Sequence, residues 1–295
     1  MAELSWHDEL TPDQADAVFD LVEETTRADG VAPVGEQVKM RLHGDRRGSA
    51  HLLAVVDERL VGYAHLDLLG DSDGNSVAEL AVRPADRGHG VGTALVNALT
   101  DRAEKLRIWS HGGHPAAERL AARLGLRNVR ELLRMRLEFD GEELPEPQWP
   151  DGVRLRTFVP GQDEAAVVYV NHRAFDWHPE QGAMSVEDVR RREEEDWFDP
   201  KGFLLAVDSS NRLLGFHWTK VHEAGEIGEV YVVGVDPDSQ GGGLGRALTL
   251  AGLRHLRNIG LRRVMLYVES DNAAAVRVYT RLGFEKWDSD VQYSA

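Results

Sequence analysis

A short turn built largely of glycine constrains the fold of this chain more than any other stretch. The turn, Gln240-Gly241-Gly242-Gly243-Leu244-Gly245-Arg246, follows residues 229–235, whose β-branched and aromatic side chains predict a buried strand. After it, apolar residues recur at helical spacing up to Ala251. The sequence therefore predicts a strand, a glycine turn and a helix. The backbone of such a turn can approach a ligand closely, and the unpaired first-turn N–H groups can bind an anion such as a pyrophosphate.

Two common pyrophosphate-binding motifs are absent from this turn. It lacks the Gly-x-x-x-x-Gly-Lys-Ser/Thr pattern that binds a nucleoside triphosphate with magnesium. It also lacks Gly-x-Gly-x-x-Gly, because Arg246 stands where a dinucleotide-binding turn has its third glycine. The turn therefore predicts a pyrophosphate ligand of another class.

The same strand, turn and helix occur earlier in the chain. The alignment pairs Val82 with Val235, Arg87 with Gln240, Gly90 with Gly243 and Gly92 with Gly245. A duplicated supersecondary unit indicates two copies of one fold and not one large sheet. Three prolines interleaved with glutamates, ending at Pro150, predict the linker between the copies. We predict an N-terminal domain over 1–140, a linker over 141–151 and a C-terminal domain over 152–295.

Composition limits the compartment and the partners. The chain has 295 residues, no cysteine and a formal net charge of −16, from 34 basic and 50 acidic residues. Without cysteine there is neither a disulfide nor an enzyme thiol that could carry an acyl group. No apolar run approaches membrane-spanning length, so we expect a cytoplasmic monomer that does not bind membranes. The acidic balance argues against nucleic acid and suits an amine-bearing small molecule, although an acidic surface can also serve solubility alone.

The C-terminal half resembles the acetyl-CoA-dependent N-acetyltransferase superfamily known as GNAT. Two motifs carry the resemblance: Gln-x-x-Gly-x-Gly from Gln240 to Gly245, and Asn-x-x-Ala-x-x-x-Tyr-x-x-x-Gly-Phe from Asn272 to Phe284. A predicted helix and strand separate them. The resemblance implies an α/β fold with a mixed sheet in two tandem GNAT domains, and acetyl-CoA as co-substrate. The C-terminal residues it assigns to the cofactor are Val233, Gly234, Val235, Gln240, Gly241, Gly242, Gly243, Leu244, Gly245, Arg246, Asn272, Ala273, Ala274, Ala275, Val276 and Arg277.

Acetyl transfer to an amine requires a base, an oxyanion site and an acid. Glu229, near the start of the predicted strand, can accept the amine proton directly, through water or together with Glu226. Tyr279 is by resemblance the acid that protonates the departing sulfur. Gly234 interrupts a run of valines and predicts a bulge or a close backbone approach. By resemblance this strand splays from its neighbour, and its backbone N–H groups bind the thioester carbonyl.

The two copies are not equivalent. Ala121 stands where the second copy has Tyr279, His114 where it has Asn272, and Ser76 where it has Glu229. We therefore expect the N-terminal copy to be catalytically degenerate and able at most to bind acetyl-CoA. The residues assigned to that second cofactor site are Leu80, Ala81, Val82, Gly88, His89, Gly90, Val91, Gly92 and Thr93. His111 and His114 have a two-histidine spacing without a third ligand, so no metal site is predicted.

A narrower resemblance, to the mycothiol synthase family of tandem GNAT enzymes, spans nearly the whole chain. It is carried by residues 29–38, 178–182, 197–200, 213–222 and 266–272. The resemblance implies acetylation of the cysteinyl amine of the pseudodisaccharide cysteinyl-glucosaminyl-inositol by direct transfer in a ternary complex. It also assigns substrate contacts to Glu36, Glu180, Lys220, Glu229 and Tyr267. Two alternatives stay open: a GNAT enzyme for another small amine or a peptide N-terminus, and a non-catalytic acetyl-CoA-binding module.

Overall fold

The structure is a computed structural model that describes residues 2–43, 48–71, 73–139, 141, 143–176, 182, 184–222 and 226–295. The chain divides into two compact units. Unit 1 comprises residues 1–133, 269–271 and 288–295, and unit 2 comprises residues 134–268 and 272–287. The predicted domain boundaries stay a prediction.

Strands and helices are interspersed along the chain. The first half contains β1 (Glu3–His7), α1 (Pro12–Asp29), α2 (Glu36–His43), β2 (Ser49–Val56), β3 (Arg59–Asp67), β4 (Ser76–Val82), α3 (Val91–Arg102), β5 (Leu106–Ser110), α4 (Pro115–Leu124) and β6 (Arg127–Glu138). The second half contains β7 (Arg154–Thr157), α5 (Glu164–Ala174), α6 (Val186–Glu193), β8 (Phe203–Val207), β9 (Leu213–Val221), β10 (Ile227–Val235), α7 (Leu244–Asn258), β11 (Arg263–Glu269), α8 (Ala273–Arg281) and β12 (Glu285–Ser294).

Unit 1 is built on a mixed sheet in the order β1-β2-β3-β4-β5-β12. The first four strands are antiparallel neighbours, while β4 and β5 are parallel. The parallel pairing runs only from Ser76 opposite Leu106 to Glu79 opposite Trp109, although β4 continues to Val82. The two strands therefore stop pairing partway along β4.

Unit 2 repeats this plan with the order β11-β10-β9-β8-β7, and the part of β6 from residue 134 onward adds a strand beside β11. Strand β10 pairs with β11 in parallel from Ile227 to Val230, and Val230 lies opposite Leu266. Both strands continue beyond this last pair, so they separate at the same relative place as β4 and β5 do. The mixed sheet and the splayed strands predicted by resemblance are confirmed.

The bulge predicted at Gly234 is wrong in position. The irregularity between β10 and β9 lies between Val230 and Val232, so the extra residue is Tyr231. Gly234 is paired regularly with Phe216. A glycine is needed at position 234 for lack of space, because a Cβ there would lie 2.7 Å from the Phe216 ring. Close packing, and not a bulge, explains this residue.

The helix termini follow the sequence signals. Thr11 caps α1 in a complete capping box with Gln14, and Gly30 ends the helix in the left-handed region at φ 74°. Asn272 caps α8, with its Oδ1 accepting from the Ala275 N–H at 3.1 Å. None of the helices in the described part of the chain is long and apolar enough to cross a membrane.

An aromatic core lies on one face of the unit 2 sheet. Trp218 is fully buried and stacks on Phe203 with ring centroids 4.3 Å apart. Trp197 is partly buried and packs against Trp218 at 5.8 Å. Burial of such large rings dominates the stability of a small core, so Trp218 serves packing and cannot stack on a ligand.

Candidate active site

The glycine turn of unit 2 places unpaired backbone donors at the start of α7. Gly243 is the N-cap of α7 at φ 82° and ψ 3°, and no side chain caps this helix. Gly241 has φ 90°. A Cβ at either glycine would meet nothing within 4 Å, so glycine is required for its conformation and not for space. The N–H groups of the first turn of α7 are therefore available to an anion.

The turn of unit 1 has the same geometry. Helix α3 begins after Gly90, which has φ 87° and also carries no side-chain cap. Arg87 Nε donates to Val82 O at 3.1 Å, and in unit 2 Gln240 Nε2 donates to Val235 O at 3.4 Å. The first residue of each turn thus donates to the last residue of the preceding strand. The duplication predicted from the sequence is confirmed at this level of detail.

The splayed half of β10 has backbone donors directed away from β9. The N–H of Asp236, just after the strand, donates to Leu214 O at 2.9 Å. Because alternate residues of a strand point their N–H groups to opposite sides, Val233 and Val235 direct theirs away from β9. That side is the one on which β11 no longer pairs. These are the two donors predicted to bind a thioester carbonyl.

Glu229 lies in the paired part of β10, before the bulge. It is opposite Lys220 of β9 and beside Met265 of β11, and it is 7% exposed. Residues directly opposite in a sheet share a face, as do residues two apart on one strand. Lys220, Glu229 and Tyr267 therefore lie on one face of the sheet. His222 Nε2 lies 3.0 Å from Glu229 Oε2.

Lys220 is held over aromatic rings. Its Nζ lies 4.8 Å from the ring centroid of Trp197 and 5.7 Å from that of Tyr231. The Tyr231 hydroxyl accepts a hydrogen bond from Arg192 Nε at 2.8 Å, which fixes the ring. Cation–π contacts of this kind orient an ammonium group without neutralising it. The ammonium of Lys220 is therefore oriented on the face that carries Glu229.

The other predicted substrate residues are spread over the chain. Tyr267 follows Leu266, the last residue of β11 that pairs with β10, and is 40% exposed. Glu36 is the first residue of α2 and is exposed. Glu180 lies outside the described residues. The contacts of Glu36, Glu180, Lys220 and Tyr267 with substrate stay predictions.

Tyr279 lies in the last turn of α8, two residues before the helix ends at Arg281. The residue is half-buried, and its ring packs edge-on against Phe284 at 5.7 Å. Burial raises the pKa of the Tyr279 phenol to about 12. The side chain therefore keeps its proton at neutral pH, as a general acid must. Its placement against the departing sulfur stays a prediction.

Unit 1 contains a cavity of about 590 Å³ beside its glycine turn. Every residue predicted for the N-terminal cofactor site lines it except His89 and Val91. Arg87 crosses one wall, with its guanidinium bonded to Asp29 Oδ2 at 2.6 Å. Burial raises the pKa of the Asp29 carboxyl, but the hydrogen bond and charge of Arg87 outweigh it and the pKa is lowered on balance. The cavity belongs to unit 1, whereas Glu229 and Tyr279 belong to unit 2.

A charged cluster in unit 1 was missed by sequence reasoning. His111 lies 3.2 Å from Glu79 and 3.1 Å from Asp290. Burial lowers the pKa of His111, but hydrogen bonds to Asp290 and Glu79 raise it more, to about 9. The backbone N–H of Gly112 also donates to Asp290, at 2.9 Å. Asp290 and His111 are 179 positions apart in the chain, so no local pattern could have indicated the cluster.

The histidine pair considered for metal binding has other contacts. His111 belongs to the charged cluster, and His114 caps α4 by accepting from the Ala116 N–H at 3.1 Å. Over the described residues, no group of three metal-binding side chains was found.

The family model for the acetyltransferase (GNAT) family matches this chain twice, over residues 15–126 and 171–284. The chain belongs to the GNAT acetyltransferase family. Both matches contain one glycine turn and one pair of splayed strands, so the tandem arrangement of GNAT domains is confirmed. As a GNAT acetyltransferase, the protein is an enzyme that takes its acyl group from an acyl-CoA.

Curated relatives share the full length of the chain. A mycothiol acetyltransferase of Actinosynnema mirum is 64% identical and the match covers 100% of both chains. A second mycothiol acetyltransferase, from Saccharomonospora viridis, is 54% identical over 100% of this chain and 99% of its own. The resemblance to the mycothiol synthase family is thereby confirmed.

Solved structures agree with the fold. A GCN5-related N-acetyltransferase from Sphaerobacter thermophilus superposes with a TM-score of 0.75 at 28% identity, covering 99% of this chain and 95% of its own. A tandem GNAT protein from the clavulanic acid biosynthesis pathway gives a TM-score of 0.72 at 20% identity, covering 99% and 98%. Because the second of these structures is only 20% identical in sequence, its similarity supports the fold alone.

Proposed function

We propose that this GNAT enzyme transfers the acetyl group of acetyl-CoA to the cysteinyl amine of cysteinyl-glucosaminyl-inositol, which gives mycothiol in the last step of its biosynthesis. One structural observation carries the chemistry: a buried carboxylate, Glu229, lies on the strand that splays beside an uncapped glycine turn. The naming of the full-length relatives supports the choice of acceptor. We infer that the reaction takes place in the cytoplasm.

Glu229 acts as the general base in this proposal. An amine bound at neutral pH carries a proton that blocks its lone pair, and a carboxylate within reach can take it directly or through water. Glu229 is suited to this because it is almost entirely removed from solvent. Lys220 and Tyr267 lie on the same face and would donate hydrogen bonds to the sugar hydroxyls. Glu36 and Glu180 are the further substrate contacts of the proposal.

The backbone of β10 and the phenol of Tyr279 complete the transfer. Acetyl-CoA would lie along the splayed strand with its pyrophosphate on the turn 240–246 and residues 272–277. The N–H groups of Val233 and Val235 would then stabilise the negative oxygen that forms when nitrogen attacks the thioester carbon. The C–S bond breaks as the tetrahedral carbon collapses, and the phenol proton of Tyr279 passes to sulfur. The second proton lost by the nitrogen restores the phenol. With no cysteine in the chain, transfer is direct.

The cavity of unit 1 is proposed as a non-catalytic acetyl-CoA site. It combines an uncapped glycine turn with the end of β4 that no longer pairs with β5, and these are the features that support cofactor binding in unit 2. Ala121 lines the cavity at the position aligned with Tyr279, so the phenolic proton donor is missing there.

The acceptor is tested by measuring thiol release from acetyl-CoA with a panel of amines. The panel contains cysteinyl-glucosaminyl-inositol, glucosaminyl-inositol without the cysteine, an aminoglycoside and a peptide with a free N-terminus. We expect kcat/KM to be at least about 100-fold higher for the cysteinyl compound than for the others, because a site with paired polar groups discriminates against a ligand that leaves them unpaired.

Comparable rates with the aminoglycoside or the peptide would contradict the acceptor but not acetyl transfer. Absence of thiol release with every amine, together with measurable acetyl-CoA binding, would instead indicate a binding module. Glu229→Gln serves as the chemical control, since it keeps the size of the side chain and removes its basicity.

A further inference from the structure

The connection between β9 and β10 places a histidine beside the candidate base. His222 directly follows β9, and its backbone N–H donates to Ile227 O, the first residue of β10, at 3.1 Å. This hydrogen bond extends the antiparallel pairing of Val221 with Gly228 by one step. His222 is thereby fixed near the start of the strand that carries Glu229. Its Nε2 lies 3.0 Å from Glu229 Oε2.

The Glu229–His222 pair connects a buried carboxylate to a ring that is partly exposed to solvent. The Glu229 side chain is 10% exposed, whereas that of His222 is 39% exposed. The Nε2 atom itself is buried and, within the described residues, makes no hydrogen bond of ordinary geometry. The exposed part of the ring therefore lies on the side away from Glu229. An imidazole with one nitrogen at a buried carboxylate and the rest of its ring in water can accept a proton at one nitrogen and release another from the second.

The proposed reaction produces a proton that must leave Glu229. An ammonium and a thioester give an amide, a thiol and one proton, because the nitrogen loses two protons and the sulfur gains one. Glu229 must lose its proton before it can act again. Across the described residues, His222 is the one Lys, Arg or His side chain within 4 Å of the Glu229 carboxylate.

The remaining charged groups nearby are engaged elsewhere. Lys220, opposite Glu229 on β9, has its Nζ over the rings of Trp197 and Tyr231. Arg192 of α6 donates to the Tyr231 hydroxyl. Neither cation can accept a proton at neutral pH, so neither can take the place of a neutral imidazole.

We propose that His222 is a proton-relay and positioning residue that takes the amine's proton from Glu229 Oε2 on its Nε2 and releases one from Nδ1 to water. The inference rests on the proposed role of Glu229 as base. His222 acts through Glu229 and does not touch the substrate. Each cycle leaves the carboxylate ionised and the imidazole neutral as its Nε2–H tautomer, with one proton transferred to solvent. Exchange of the ring protons with water returns the Nδ1–H tautomer before the next cycle.

The experiment compares His222→Ala with His222→Gln in the full chain. We expect kcat with cysteinyl-glucosaminyl-inositol to fall about 10- to 100-fold in both variants, with the KM of acetyl-CoA changed less than twofold. Added imidazole should restore kcat of His222→Ala in a saturable way, at least about fivefold. His222→Gln should stay slow, because an amide can hold a hydrogen bond but cannot carry a proton.

His255→Ala is the matched control. His255 lies in the same unit, with its Nε2 3.8 Å from Asp199, and among the described residues it forms no ion pair with Glu229. Its activity should not respond to imidazole. Unchanged kcat in both His222 variants, full activity of His222→Gln, or a loss that imidazole does not reverse would each overturn the relay.

Glu229→Gln separates this inference from the proposed function. If Glu229→Gln loses activity but His222→Ala does not, the relay alone is wrong. If Glu229→Gln keeps full activity, Glu229 is not the general base, and the proposal that His222 relays its proton is wrong as well. The double variant should be no slower than Glu229→Gln, since a relay has nothing to transmit once the base is gone.

Discussion

Tyr279 and Glu229 have opposite tasks, and their surroundings differ accordingly. Burial holds the pKa of the Tyr279 phenol at about 12, so the proton needed by a leaving thiolate is present throughout the physiological range. Glu229 is buried beside an imidazole that can exchange protons with solvent. One residue is suited to keeping a proton and the other to passing one on.

Replacing Tyr279 by phenylalanine tests its acid role. We expect Tyr279→Phe to lower kcat about 100- to 1,000-fold while the Kd of acetyl-CoA changes less than twofold, because the ring is kept and only the donor is lost. Steady-state kinetics and calorimetric binding provide the two readouts. Since the phenol stays protonated below its pKa of about 12, the wild-type rate should show no Tyr279-dependent decline below about pH 11. Unchanged turnover would remove the acid role.

Gly234 has a packing role that can be measured apart from catalysis. A Cβ here would lie 2.7 Å from the Phe216 ring, so we expect Gly234→Ala to lower the free energy of unfolding by about 1–3 kcal/mol. Chemical denaturation gives the value. Gly245→Ala is the matched control, because its Cβ would lie at an ordinary 3.6 Å from Val235 and should cost nothing. Equal stability of Gly234→Ala and wild type would contradict the packing explanation.

The two glycine turns are candidate anion sites because the helices that follow them lack a side-chain cap. Helices α1, α6 and α8 each begin with a side-chain cap, whereas α3 and α7 begin with an uncapped glycine. An uncapped helix start leaves donors that cost free energy unless an anion or water satisfies them. The two turns therefore gain from a phosphate ligand in a way that the capped helix starts do not.

The two turns can be separated by matched substitutions. Gly90→Glu and Gly243→Glu each place a carboxylate and a disfavoured left-handed residue, at φ 87° and 82°, on one turn. We expect Gly90→Glu to remove one acetyl-CoA binding event per chain in calorimetry while kcat falls less than twofold. Gly243→Glu should abolish turnover. Loss of activity in Gly90→Glu, in a folded protein, would show that unit 1 takes part in catalysis.

At the scale of the whole chain, the last residues belong to the first unit. Residues 288–295 join unit 1, where β12 pairs with β5 through Val291 to Ser294. Asp290 contacts His111 and the N–H of Gly112 in the same unit. Folding of unit 1 is therefore complete only when the end of the chain is present. Removal of residues 288–295 should expose β5 and destabilise unit 1, which hydrogen exchange of β4 and β5 would report.

The charged cluster makes the stability of unit 1 depend on pH. Because the folded pKa of His111 is raised from 6.5 to about 9, its contribution is fully present below pH 6.5 and is lost as pH rises through 9. We expect the free energy of unfolding to fall by on the order of 2–3 kcal/mol between pH 6.5 and 9.5. Denaturant titration at each pH measures this change.

His111→Gln is the control for that titration, because it removes the ionisable group and should flatten the alkaline decline. The buried His65 and His217 do not interfere, since burial lowers the pKa of each to about 4 and their contributions change only on the acid side. A decline of the same size in His111→Gln would show that the cluster is not its source.

The sequence by itself determined those features of the fold that depend on residues close together along the chain. The tandem repeat, the glycine turns, the capped start of α1 and the placement of Glu229 on a strand all follow from spacing and backbone preference, which act within a few residues. The chemistry of acetyl transfer followed from the resemblance of the two motifs to the GNAT family. Local patterns could not place the bulge, because a bulge is a mismatch in the pairing of two strands, and here it lies where β10 pairs with β9.

Only the tertiary structure decided which distant groups meet. It brought Asp290 to His111, set His222 against Glu229, and filled the space beside Gly234 with Phe216. The pKa values of His111 and Tyr279 likewise follow from burial and from partners that the chain places nearby only once it is folded. Electrostatic and packing energies depend on distance in space, and a linear sequence fixes that distance only for residues close together along the chain.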